Sequence, residues 1–183
     1  MVKQRIEPAT PPFSPEITET LEKAMPPGVP PLVMFTTLAR DPRLFAKFTA
    51  GSLLDRGNLS LRQREIVIDR TTAGCGSEYE WGIHIAFFAA RVKLDDAQIH
   101  AIVHEGPDAP CWQPDERALI AACDSLQESC DLDDATWNDL REHFSEEAIL
   151  EILMLAGFYR TVSYLTNALR LPLEAAAVPF PKE

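Results

Sequence analysis

The chain has 183 residues, 46% hydrophobic and 25% charged, with a formal net charge of −11 at pH 7. A chain of this length buries about two-thirds of the surface its unfolded form exposes, so it needs no disulfide or metal to fold, and one domain over 1–183 is expected. The acidic balance argues against nucleic acid, which is held mainly by Lys and Arg, and against an anionic membrane surface; it leaves room for a small anionic substrate held by local arginines.

Residues 1–15 carry Pro8, Pro11, Pro12 and Pro15, which block regular structure and predict an arm that lies on a neighbour or moves. Ser14 then caps a short helix with Pro15 in its first turn and Ile17, Leu21 and Met25 on one face. MPPGVPP is a break. Leu32 to Ala39 reads as a short helix, and Asp41-Pro42 starts another carrying Leu44, Phe45, Phe48 and Leu53. Ser60 and Gln63 fit a capping box for the next helix, which Gly74 and Gly76 end. Ser77 opens a helix to about Val92, and Asp95 a shorter one ending near Gly106. Pro114 begins a helix through Ile120, Cys123 and Leu126, and Asp133 one with Trp137 and Leu140. Ser145 leads into the long apolar helix AILEILMLAGFYRTVSYLTNALRL, stopped by Pro172.

Apolar spacing is helical almost throughout, with no clean strand alternation, so the fold class is all-α. The last helix is apolar on more than one face, which places it centrally or in a subunit interface and points to an oligomer. The N-terminus has no apolar h-region, so no secretory signal is expected, and no window approaches the roughly 20 apolar residues of a membrane helix. Cys75, Cys111, Cys123 and Cys130 follow no zinc spacing and include no CxxC. They read as free thiols in a reducing cytoplasm. Cys123 and Cys130 lie two turns apart, roughly 10 Å along a helix, too far for an unstrained disulfide.

Chemistry concentrates in GCGSEYEWGIHIAFFAA, Gly74 to Ala90. Ser77, Glu80 and His84 stand at i, i+3 and i+7 and share one helix face. A carboxylate one turn before an imidazole raises its pKa and orients its ring, as a general acid or base requires. Tyr79 and Trp81 flank the pair and can exclude water. The same residues also fit a simpler pattern: Ser77-x-x-Glu80 is a capping box, the helix dipole favours Glu80, and His84 can be a core histidine. Glu65, within REIVIDR, reads either as a solvent-facing glutamate or as a residue on the inner side of a hairpin. In the hairpin the short Gly74–Gly76 link makes the two helices antiparallel, and Glu65 faces His84. Gly82 costs a helix about 1 kcal/mol against alanine, which marks close approach of another backbone or a ligand.

The stretch REIVIDRTTAGCGSEYEWGIHIAFFAARVKLDDAQIHAI resembles the carboxymuconolactone decarboxylase family, which shares the alkylhydroperoxidase D-like fold. The resemblance continues in ERALIAACDSL and EILMLAGFYRTVSYLTNAL and covers roughly 35–172. It implies an all-α fold built on a helical hairpin and assembled as trimers or hexamers. The family's peroxidase branch carries a glutamate, a CxxC and a histidine one turn later. Here the glutamate falls on Glu65 and the histidine on His84, but the two cysteine positions hold Ser77 and Glu80. Cys75 stands two residues before the first of them with no resolving partner, so the disulfide cycle cannot run in its usual form.

The decarboxylase branch, which resembles this chain in Tyr-Glu-Trp before the histidine, implies a cofactor-free lyase for a small carboxylated lactone. His84 is then the proton donor, tuned by Glu80, with Glu65 holding the ring or relaying a proton. Ser77, Tyr79, Trp81, Cys75 and Arg64 would surround the substrate. Arg64, Arg70, Arg91 and Arg160 are candidate carboxylate clamps, though a solvated charge is the commoner fate of an arginine. The alternatives are a peroxidase using Cys75 and a non-catalytic oligomer. No metal is expected: His100 and His104 lack a third ligand, and the acidic run around Asp131, Asp133 and Asp134 reads as a helix break and cap. No phosphate-binding glycine loop, GxSxG or internal repeat occurs.

Overall fold

The computed structural model describes residues 3–26 and 28–182. Met1, Val2, Pro27 and Glu183, which fall in the expected arm, break and C-terminus, lie outside the described residues. The described residues form nine helices and no strand: α1 Pro15–Ala24, α2 Val33–Leu38, α3 Pro42–Ala50, α4 Leu61–Gly74, α5 Glu78–Val92, α6 Asp96–His104, α7 Pro114–Ser129, α8 Asp134–His143 and α9 Glu146–Leu169.

Helix starts follow the caps. Ser14, Asp41, Asp133 and Ser145 each accept a backbone N–H of the first turn, and Ser60 with Gln63 forms the full capping box at α4. Asp95 with Gln98 makes another at α6. The predicted extension of α3 to Leu53 does not form. Gly51 ends that helix, and Leu53 turns to a positive φ of 52° while its side chain packs on the core.

Helix α4 is the hub and packs against α5, α6, α7 and α9. Surrounded on so many sides, it buries polar as well as apolar residues: Arg64, Glu65, Asp69, Thr71 and Thr72 join Ile66, Val67 and Ile68 inside. The turn into α5 needs Gly76 at φ 61°, where the Gly76 and Ser77 amides close back on the Ala73 and Thr72 carbonyls. Helix α9 contributes Ile149, Ile152, Leu155, Tyr159 and Val162 to the core. Against the sequence expectation, α9 is long and apolar enough to cross a bilayer by length and composition; here that buried face is the protein interior.

Helices α1 to α3 make a smaller cluster of Ile17, Leu21, Ala39 and Phe45. The N-terminal arm lies on its own chain: Arg5 N–H donates to the Leu169 carbonyl and Ala9 N–H to that of Thr36. The C-terminal tail crosses α5 at Gly82. Val178 N–H donates to the Gly82 carbonyl at 3.1 Å, and a Cβ on Gly82 would meet the Val178 carbonyl oxygen at 2.3 Å. The close approach that Gly82 signalled is therefore another stretch of backbone.

Candidate active site

Two adjacent antiparallel helices bring three ionisable groups together. Glu65 of α4 is fully buried, and its Oε2 lies 2.7 Å from His84 Nδ1 of α5. Its other oxygen accepts from Arg64 Nε at 3.1 Å and Nη2 at 2.9 Å, while Arg64 Nη1 donates to the Leu54 carbonyl. On the far side of the ring, His84 Nε2 is 3.5 Å from Glu80 Oε1. Glu65 is thus the inner member and not solvent-facing, because α4 is covered on that side.

Its two carboxyl neighbours favour the protonated form of the histidine. Burial disfavours its charge, but the hydrogen bonds and charges of Glu65 and Glu80 outweigh that and raise its pKa to about 10. Phe88 stacks on the ring at 5.4 Å between centroids, and Tyr159 of α9 meets it edge-on at 5.1 Å. These contacts fix the ring plane and exclude water from one side. Asp69 is buried one turn beyond Glu65 with Oδ1 unpartnered. Burial pushes its pKa well up, with Glu65 and Glu80 adding and the His84 charge opposing. That favours the neutral form of Asp69 beside Glu65 and Glu80.

His84 and Glu80 open onto a cavity of about 600 Å³. Its walls are mainly apolar, including Phe35, Phe48, Phe87, Phe88 and Phe158, and Arg91 and Lys23 add positive charge. Glu80 is the only carboxylate on its lining among the described residues, and its Oε2 has no hydrogen-bond partner.

Several expected substrate contacts are elsewhere. Glu65 stands behind His84 and does not line the cavity, so its part is to hold the ring. The capping box at Ser77 and Glu80 does not form: Ser77 Oγ bonds Thr166 Oγ1 at 2.7 Å, and Glu80 turns to His84. Tyr79 accepts from the Met34 amide and donates to Glu174 of the tail. Trp81 is fully buried against Phe180. Cys75 caps α4 and its thiol donates to Gln127 Oε1 at 3.3 Å. Arg64 reaches Glu65, not the cavity. Ser77, Tyr79, Trp81 and Cys75 turn to neighbouring elements, α9, α2, the tail and α7, and Arg64 turns to Glu65 and the Leu54 carbonyl, so none of the five lines the cavity.

Of the four arginines proposed as clamps, Arg70 is bound by Asp124 and Arg160 by Tyr164 and two carbonyls of α7. Arg91 alone lines the cavity, its guanidinium 5.3 Å from the Phe88 centroid. Tyr159, Phe88 and Asp69 were not singled out from the sequence. Phe88 and Arg91 continue the His84 face at i+4 and i+7, a signal that was present; Tyr159 sits in a uniformly apolar helix and gave none. His104 contacts the Pro181 carbonyl and His100 contacts Glu105, so this pair is occupied.

No protein-family model and no curated protein matches the sequence. Solved structures do. A peroxidase-related protein from Ralstonia eutropha JMP134, described as an alkylhydroperoxidase AhpD core, aligns with a TM-score of 0.83 at 20% identity, over 98% of this chain and 99% of its own. A peroxidase-related protein from Silicibacter sp. TM1040 aligns at 0.79 and 22% identity, over 97% of each chain. The debrominase Bmp8 aligns at 0.74 and 19% identity, over 93% of this chain and 92% of its own; a cysteine-to-alanine variant of it is also known with 2,3,4-tribromopyrrole bound. The helical hairpin, the α4 hub and these end-to-end alignments agree on one architecture: the chain has the alkylhydroperoxidase D-like fold.

Proposed function

We propose that the protein is a cofactor-free acid–base enzyme of the carboxymuconolactone decarboxylase type, a lyase for a small carboxylated ring compound. The observation that carries this reading is the buried His84 imidazole, clamped between Glu65 and Glu80 at the wall of an apolar cavity. Loss of carbon dioxide leaves the bonding electron pair on the substrate as a delocalised dienolate. The positive His84 stabilises that charge and Nε2–H delivers the proton to carbon. Glu80 then returns a proton from solvent to the ring, while Glu65 keeps the ring in register. Arg91 is placed to hold an anionic group that the substrate retains. The four cysteines are free, in keeping with action in the cytoplasm.

The thiol peroxidase alternative has less support. Cys75 is directed to Gln127, and no cysteine is on the cavity lining among the described residues. The debrominase Bmp8, which shares this fold, is known as a cysteine-to-alanine variant in complex with 2,3,4-tribromopyrrole, a small ring compound.

The test is carbon dioxide release from carboxymuconolactone by the wild-type protein and by His84→Gln. Release that the substitution lowers by about 10²–10⁴-fold supports the reading. No release by the wild type sinks the decarboxylase assignment, and undiminished release by the variant sinks the role of His84.

A further inference from the structure

The cavity beside His84 has a wall of aromatic rings that meet neighbour to neighbour. Their centroids run Phe35 to Phe48 at 6.3 Å, Phe48 to Phe158 at 5.1 Å, Phe158 to Tyr159 at 5.6 Å, Tyr159 to His84 at 5.1 Å and His84 to Phe88 at 5.4 Å. All of these residues line the cavity, and the four phenylalanines are only half-buried. A further ring laid against this belt gains edge-to-face or offset pairing on top of its area burial, which an alkyl chain does not.

The belt ends beside a free cation. Arg91 is exposed, its guanidinium lies 5.3 Å from the Phe88 centroid, and that ring is its only partner among the described residues. Lys23, the other cation on the lining, is already held by Glu19 at 2.6 Å. Arg91 follows His84 by seven residues on α5, two helical turns or roughly 10 Å along the axis, and Phe88 stands between them. One small ring reacting at His84 leaves Phe88 and Arg91 uncovered. The cavity of about 600 Å³ has the size of sites that enclose drug-sized ligands, roughly 300–1,000 Å³.

We infer that the cavity takes an extended aromatic anion: a flat body of two rings or more laid along the belt from Phe35 to Phe88, with an anionic group bound by Arg91 at the end remote from His84. The placing of the reacting end at His84 rests on the lyase reading above; the body and the anchor rest on the cavity alone. Charge sets the orientation. Glu80, the only carboxylate on the lining among the described residues, stands beside His84 and disfavours a retained anionic group there. An anion that leaves water needs its charge met by a donor, and Arg91 offers one without first breaking another pair.

Calorimetric titration of the full chain with biphenyl-4-carboxylate tests this, with benzoate, biphenyl-4-methanol and dodecanoate as comparison ligands. Biphenyl-4-carboxylate is expected to bind roughly tenfold or more tighter than each of the other three. Its Kd is expected to rise about tenfold in Arg91→Gln with the circular dichroism spectrum unchanged. Arg141→Gln, which alters an exposed arginine on α8, is expected to bind as the wild type does. Benzoate binding as tightly overturns the extended body, and dodecanoate binding more tightly assigns an alkyl chain and overturns the aromatic class. An affinity indifferent to Arg91→Gln overturns the anchor, and a wild type that does not bind biphenyl-4-carboxylate overturns the whole inference. Carbon dioxide release separates this from the lyase reading. A wild type that binds the probe through Arg91 but releases none from carboxymuconolactone keeps the ligand class and loses the lyase; one that releases it without binding the probe does the reverse.

Discussion

His84 Nδ1 lies 2.7 Å from Glu65 Oε2, joining residues nineteen apart across the α4–α5 hairpin. The bond puts a carboxylate behind the imidazole and turns Nε2 towards Glu80 and the cavity. The geometry follows from a short glycine turn that sets two helices side by side.

If His84 donates the proton, activity requires its charged form. With its pKa raised to about 10, turnover holds through neutral pH and falls as pH rises through that value. Glu80→Gln removes one of the two groups that raise it and leaves Glu65 in place. The alkaline limb of the rate profile then moves to lower pH; an unmoved limb assigns it to another group. The same shift bears on stability. A folded pKa above the unfolded 6.5 gives a contribution complete below pH 6.5 and lost as pH rises towards about 10. The difference in Tm between wild type and His84→Gln is expected to narrow across that window.

Asp69 runs the other way. Its folded pKa is raised above the ordinary carboxyl value of 3.8, so the wild type loses stability as pH rises above that value. Asp69→Asn does not titrate. Its Tm relative to wild type is expected to climb between pH 4 and neutrality, and a constant offset would show that Asp69 is not held neutral.

Gly82→Ala gains about 1 kcal/mol of helix propensity. It also drives a Cβ to within 2.3 Å of the Val178 carbonyl oxygen, a backbone atom that cannot rotate away. Overpacking of this kind costs about 1–3 kcal/mol, so a net loss is expected. Thermal melting and faster proteolysis of the tail beyond Pro172 report it. A variant with the wild-type Tm and an equally protected tail would mean that the crossing is loose.

Cys75→Ser is expected to consume hydrogen peroxide at the wild-type rate, because the thiol faces Gln127 and not His84 or the cavity. A marked loss of consumption would revive the redox reading.

The sequence by itself determined the helices and the face on which Glu80 and His84 meet. Both rest on short-range physics: caps such as Ser60 with Gln63, the apolar repeat, and the i,i+4 spacing. Gly82 likewise announced a close approach by its cost to the helix. Tertiary structure decided everything that depends on distant chain. It chose between the capping box and the acid–base pair at Ser77 and Glu80, because Thr166, far along in α9, took the serine hydroxyl. It set Glu65 inside, since α4 is covered by four other helices, and it left Arg91 on the cavity while Asp124 and Glu65 engaged Arg70 and Arg64. It also sent the tail across Gly82, which no local pattern encodes. Local propensity sees only a few residues at a time; which buried group finds which partner is fixed when segments remote in sequence compete for the same space.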